Sequence, residues 1–243
     1  MRHDFIDKYS GLDTGIHHLD SRTKFLGSLF FIIVIVLTPP DKFLQFVLFF
    51  LVLVSLMLMS RVPLLYVFKR SLVIIPFVGL FIFFIPFIKR SPSAVWSKGL
   101  LIWNVFIKSY LAVLSLIVLT STTSFHRLLA GLEKMKVSKI FILILSFMYR
   151  YLFVLIEEVE QMERAWRSKG YSGTLGFKIR TFSQIIGVLF IRTYEKAERV
   201  YQSMLSRGFS GDIRILTPDG IKSKDIILIS IFSIMIIIIR RIF

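Results

Sequence analysis

Six residues are written twice in this chain: Ser168-Lys169-Gly170-Tyr171-Ser172-Gly173 and, thirty-eight positions later, Ser206-Arg207-Gly208-Phe209-Ser210-Gly211. Both runs read small, basic, glycine, aromatic, serine, glycine. The chemistry these residues offer is binding rather than bond making. A base at a helix end projects N–H donors toward carboxylates or carbonyls, and an arginine fork does so in a fixed plane. A small residue before the base leaves room for a partner backbone. A simpler reading stands beside this one. Helices commonly end in glycine, and a base in the last turn suits the negative end of the macrodipole. Capping explains the glycine and the base at one site. It does not call for the same aromatic, serine and glycine afterwards, twice. Two matching tips suit a partner with two similar sockets, such as a dimer of similar subunits.

Other constellations carry less. There is no G-x-x-x-x-G-K-[ST] run, so a nucleotide used in the process is hydrolysed by a partner, not by this chain. Cysteine is absent, which removes thiolate nucleophiles, thiolate metal sites and disulfides. The four histidines are His3, His17, His18 and His126. His17 and His18 are adjacent, so on a helix they diverge by about 100° and lack the i,i+4 spacing of a chelate. No metal site and no catalytic residue are expected. Glu157, Glu158, Glu160 and Glu163 scatter around a helix rich in arginine and read as a solvated, ion-paired face. Lys108 interrupts an apolar run. It either lines a path through the membrane or snorkels to an interface, and the second reading is preferred. Arg150, between Tyr149 and Tyr151, reads as interfacial too.

The elements that carry the two plugs are helices, most of them apolar. Of 243 residues 55% are hydrophobic, and the mean hydropathy is +0.74. Long uninterrupted apolar runs place the chain among helical membrane proteins. The net charge of +16 fits membrane topology and anionic lipid better than nucleic acid, which is not an expected partner. The polar N-terminus, MRHDFIDKYSGLDTG, has no apolar h-region and does not read as a signal peptide. Apolar runs come next at 25–37, 43–59, 71–88 and 100–120, with basic connections at 61–70 and 89–98. Residues 124–138 read as a short amphipathic helix. Residues 139–168 read as one long helix, apolar and then charged, with Glu160–Arg164 and Glu163–Arg167 in the favourable i,i+4 order. Residues 175–206 form another, with Glu195–Arg199. A last apolar run spans 226–239.

Sidedness is a matter of length. The uncharged stretch between the plugs, 181–191, is about 16 Å long as a helix, against a hydrocarbon core of roughly 30 Å. It cannot cross, so both plugs lie on one side. Between His126 and Lys224 there are seventeen Lys or Arg and nine Asp or Glu, which makes that side the cytoplasm. The expectation is an all-α, polytopic membrane protein with about five spans. Residues 1–123 hold four of them, 124–224 are a cytoplasmic helical region whose apolar half at 139–157 is either embedded or not, and 225–243 are a closing span.

These residues resemble the transmembrane T component of energy-coupling-factor (ECF) transporters, the EcfT/CbiQ family. That family ends two long cytoplasmic coupling helices in Ala-Arg-Gly-like motifs that dock on two ATPase subunits. Ser206-Arg207-Gly208 resembles the second motif, with serine for alanine. Ser168-Lys169-Gly170 resembles the first, with lysine also replacing arginine. Lysine cannot make the planar bidentate contact, and the neighbouring Arg167 is a candidate to compensate. Arg164, Phe209 and Tyr171 are further supporting residues. HHLDSRTKFL (17–26) resembles the N-terminal signature of the CbiQ branch, with Ser21 where that signature has proline. The resemblance implies a non-enzymatic membrane subunit with no cofactor of its own. ATP and Mg²⁺ would belong to two ABC-type ATPases, and cobalt or nickel ion to a separate substrate-binding membrane subunit. Membrane lipid is the remaining partner. Two other readings compete. A conventional ABC permease would present one coupling segment per chain, and an interfacial lipid enzyme would need a nucleophile or metal cluster.

Overall fold

A computed structural model describes residues 12, 14–17, 19–40, 42–76, 79–80, 95–168, 174–211 and 223–242. They are helical, with no strand among them. The chain divides into two compact units, Met1–Met135 with Thr217–Phe243, and Lys136–Leu216.

The first unit begins with α1 (Ser21–Leu37), started by an Asp20 N-cap and stopped at Thr38 before Pro39 and Pro40. Proline bars the preceding residue from helical geometry, which sets that end. Helix α2 (Phe43–Met59) returns. The stretch read as a plain connection is partly wound: α3 covers Leu64–Ser71, starting from Pro63, whose φ of −63° is already helical. Val67 and Ser71, one turn apart, are its buried side. Helix α4 (Val95–Thr122) starts before the apolar run that revealed it, and α5 (Phe125–Lys134) begins two residues beyond its end. After the second unit, α8 (Ser223–Ile242) rejoins this bundle.

The core lies where α1, α2, α4 and α8 meet. Phe31, Ile35, Phe49, Leu53, Leu111 and Ile236 are buried there. Phe31 and Phe49 meet edge to face, with centroids 5.7 Å apart at 82°, a favoured quadrupole arrangement. The outward faces are as apolar as the inward ones: Ile33 is 47% exposed, Leu51 55% and Ile227 57%. A helix apolar on every side is solvated by lipid or by other protein. Among the described residues, Ile102–Thr122 and Lys139–Ser168 are long and apolar enough to cross a bilayer, and Phe43–Met59 is a shorter apolar helix.

Three side chains tie the bundle together through the ends of other helices. Lys24 Nζ donates to the Thr122 carbonyl at 2.9 Å, at the end of α4. Lys108 Nζ donates to the Val36 carbonyl at 2.8 Å, in the last turn of α1. Gln45 Nε2 donates to the Arg240 carbonyl at 3.1 Å, in the last turn of α8. A helix leaves its last four carbonyls without intrahelical donors, so these bonds fill real vacancies. They also fix directions. Lys24 with Thr122 and Val36 with Lys108 make α1 and α4 antiparallel. A Cβ on Gly27 would touch the Phe232 ring at 3.9 Å, and Gln45, just after α1, meets the end of α8. So α8 runs parallel to α1.

The second unit is a pair of long helices, α6 (Lys139–Ser168) and α7 (Leu175–Ser206). Glu158 of α6 accepts from Arg192 of α7 at 2.7 Å and lies 3.8 Å from Lys196. The intrahelical pairs Glu160–Arg164, at 3.4 Å, and Glu195–Arg199, at 3.9 Å, stand as read from spacing, as does Glu163–Arg167. These pairs make the acidic run an ion-paired face.

Lys108 therefore has a structural task at the end of α1. Lys108→Met leaves the Val36 carbonyl short of a donor, and a loss of about 1 kcal/mol is expected in detergent unfolding titrations. Undiminished stability combined with lost transport would instead place Lys108 on a transport path.

Candidate functional site

The second plug is built by the end of α7. Arg207 is the C-cap, Gly208 has φ +81° and Gly211 has φ +92°. The Gly208 N–H donates to the Leu205 carbonyl at 2.9 Å, and the Phe209 N–H donates to the Met204 carbonyl at 3.0 Å. That pair of bonds is a Schellman motif, closed by a left-handed residue that glycine adopts without strain. The motif commonly adds an apolar contact from the residue after the glycine. Phe209, half-buried, occupies that position. The Phe209 backbone serves the cap as that of any residue would, and no cap bond calls for its ring. Arg207 itself is different. It is exposed, and no cap bond uses its guanidinium. Ser206 Oγ turns back onto the Gln202 and Ser203 carbonyls, at 3.1 Å each.

The first plug is described only up to Ser168, whose exposed hydroxyl donates to the Ala165 carbonyl at 2.9 Å. Lys169, Gly170 and Tyr171 lie outside the described residues. Arg167 has both Nε and Nη2 on Glu163, and Arg164 pairs with Glu160. Both pairs are exposed and hold their partners weakly. Glu158, in the charged half of α6, has its carboxyl held below the usual range, first by the Arg192 hydrogen bond.

A second polar group surrounds HHLDSRTK, which by sequence alone is no more than a family mark. Asp20 Oδ1 accepts the Arg22 N–H at 2.9 Å, and the Arg22 side chain closes back on the same carboxylate. His17 is 2% exposed, its Nδ1 2.7 Å from Thr14 Oγ1. Its carbonyl accepts from Lys24 Nζ at 3.2 Å and from Arg127 Nη1 of α5 at 3.3 Å. Lys24 stands just before the apolar run that starts at Phe25. Asp225, in the first turn of α8, is buried. An aspartate shortly before a lysine-tipped apolar run signals the cap. Nothing local signals Thr122, Arg127 or Asp225. His18 lies outside the described residues.

Residues 13–217 match the family model CbiQ, cobalt transport protein. The chain belongs to the CbiQ family. Over 96% of its length it is 29% identical to an uncharacterized protein of Methanocaldococcus jannaschii, of which it covers 84%. Over 85% it is 25% identical to the energy-coupling factor transporter transmembrane protein EcfT of Listeria innocua, again covering 84%. Over 44% it is 37% identical to a putative fused cobalt transport protein, CbiMQ, of Methanocorpusculum labreanum, and it spans 18% of that longer protein. The family read from the two plugs and the N-terminal signature is thus the family of this chain, and its all-α fold agrees.

Two outcomes are expected of this CbiQ-family chain. A Cβ on Gly208 would meet open space, so Gly208→Ala costs only conformational strain, about 1 kcal/mol, and Gly208→Asn costs less. Amide exchange at Phe209 should quicken about fivefold in the alanine variant.

Proposed function

We propose that this chain is the membrane coupling subunit, or T component, of an ECF-type importer of cobalt ion. Residues 1–123 would hold four spans, 124–224 the cytoplasmic coupling region and 225–243 the closing span. The antiparallel α1 and α4 and the parallel α8 support that order. They return the chain to its starting side before α5 and send α8 across in the direction of α1. Basic residues concentrated between His126 and Lys224 assign that side to the cytoplasm.

On this reading the chain hydrolyses nothing. Two ABC-type ATPase subunits bind ATP and Mg²⁺, and their motion reaches the membrane through α6 and α7. A separate membrane subunit holds the cobalt ion. The observation that carries the proposal is Arg207, an exposed guanidinium at the tip of a 32-residue helix whose end is already closed by backbone bonds. Capping leaves the arginine fork available for a carboxylate or carbonyl socket. Ser206 keeps the approach small, and Phe209 and Gly208 set the tip. Ser168-Lys169-Gly170 would serve the second socket as a point-charge contact, with Tyr171 beside it. Arg167 and Arg164 could strengthen it by releasing Glu163 and Glu160, since such surface pairs are worth little.

Coexpression with the ATPases and membrane subunit encoded beside this chain tests the proposal, with a tag on this chain for purification. Truncating a desolvated arginine anchor typically costs at least about 2 kcal/mol, near thirtyfold in affinity. Arg207→Ala should therefore lose ATPase recovery and cobalt uptake. Lys169→Ala should lose less, and the double variant most. Full recovery and uptake in all three would reduce the repeat to helix capping.

A further inference from the structure

The cluster around Lys24 joins four helices of the first unit. Lys24 on α1 bonds the end of α4 through Thr122 and the preceding loop through His17. Arg127 on α5 bonds the same His17 carbonyl. Asp225 in the first turn of α8 is 5% exposed. Beside these bonds α5 comes into close approach with α1. A Cβ on Gly131 would fall 2.6 Å from Ser21 Oγ and 3.3 Å from the Arg22 backbone nitrogen.

The far end of α5 is sharply defined. The Met135 N–H closes it on the Gly131 and Leu132 carbonyls. The next residue, Lys136, has φ +64°, a left-handed conformation that a lysine adopts at a cost of about 1 kcal/mol or more. The division between the two compact units falls between Met135 and Lys136. So α5 is the last helix of the bundle before the coupling helices.

Placing a half-buried lysine and a buried aspartate among helices is an expensive way to hold them together; apolar packing would do as well. What directional bonds add is a fixed register. We infer that the Lys24 cluster is a clamp that holds α5 rigidly on α1. A displacement arriving at Lys136 then moves the membrane helices as a body instead of rocking α5 alone. Lys24 is a positioning residue and touches no substrate. The inference rests on the coupling function proposed above. It adds a place where coupling can be cut without losing the ATPases.

The test uses the complete coexpressed complex and Co²⁺ uptake in three arms: wild type, Arg207→Ala and Lys24→Met. Lys24→Met is expected to keep ATPase recovery and ATP hydrolysis near wild type while uptake falls about tenfold, a common size for coupling between sites. A disulfide then replaces the clamp. The chain has no cysteine, and a Cβ at Gly131 is 3.3 Å from Ser21 Cβ, near the roughly 3.8 Å of disulfides. Adding Ser21→Cys and Gly131→Cys to Lys24→Met should restore uptake on oxidation and lose it again on reduction. Full uptake in Lys24→Met overturns the clamp. So does uptake that stays low with the disulfide formed and the complex intact. A parallel fall in yield, melting temperature, ATPase recovery and uptake also overturns it, since that marks a merely structural lysine. If Lys24→Met does not accumulate, Gly131→Ala takes its place. Its methyl pries α5 from α1, the same split is expected, and Ser21→Gly should relieve it; no split, or no relief, overturns the proposal. ATPases and uptake retained by Arg207→Ala, Lys169→Ala and the double variant would instead sink the coupling function itself, a separate outcome.

Discussion

A helix that ends at the edge of a bilayer must find donors for carbonyls that neither its own backbone nor lipid can serve. This chain meets that demand with long polar side chains reaching from neighbouring helices. Lys24 serves the end of α4, Lys108 the end of α1 and Gln45 the end of α8. Each bond does two things at once. It fills an orphan acceptor, and it names which helix must lie alongside and in which direction. Helices immersed in lipid gain little from hiding apolar surface against each other, so such directional bonds and close ring packing carry much of the specificity. The Phe31–Phe49 contact and the Gly27–Phe232 approach then fill the space those bonds define.

The two compact units solve different problems. In the first, several helices share a buried core. In the second, α7 buries none of its residues within its own unit, and Phe182, Ile186, Phe190 and Tyr194 stand exposed along it. Ion pairs such as Glu158–Arg192 align the two helices, but exposed pairs contribute modestly. A helix pair of this kind is a scaffold for contacts outside itself. Under the coupling function proposed above, such a pair would act as a lever with a charged tip and an apolar long face.

How much was readable depends on how local the cause is. Helices α2, α6 and α7 run from Phe43 to Met59, Lys139 to Ser168 and Leu175 to Ser206, the limits expected from apolar runs, glycines and i,i+4 pairs, all of which lie within a few residues of the boundary they set. Helix α3 was missed because its eight residues look like a basic link; only packing of Val67 and Ser71 reveals its buried side. The Lys24 cluster was also missed. Lys24 and Thr122 are separated by 98 positions, and Gln45 and Arg240 by 195. No spacing rule reaches that far. The sequence alone favours Lys108 snorkelling to an interface; the acceptor the structure adds, Val36, lies on another helix and no spacing rule names it.

The plug shows why a repeated motif must be divided before it is interpreted. Gly208 and the backbone of Phe209 close α7. Gly211 is also left-handed. What remains after that subtraction is Ser206 and Arg207. Serine is small, and its hydroxyl is occupied by carbonyls of its own helix, so it presents little to a partner except room. Arginine presents a planar, permanently charged fork. The specificity of the tip therefore rests on one side chain. Lys169 carries a compact ammonium in place of that fork, so under the coupling function proposed above its contact would differ from that of Arg207 in geometry more than in charge.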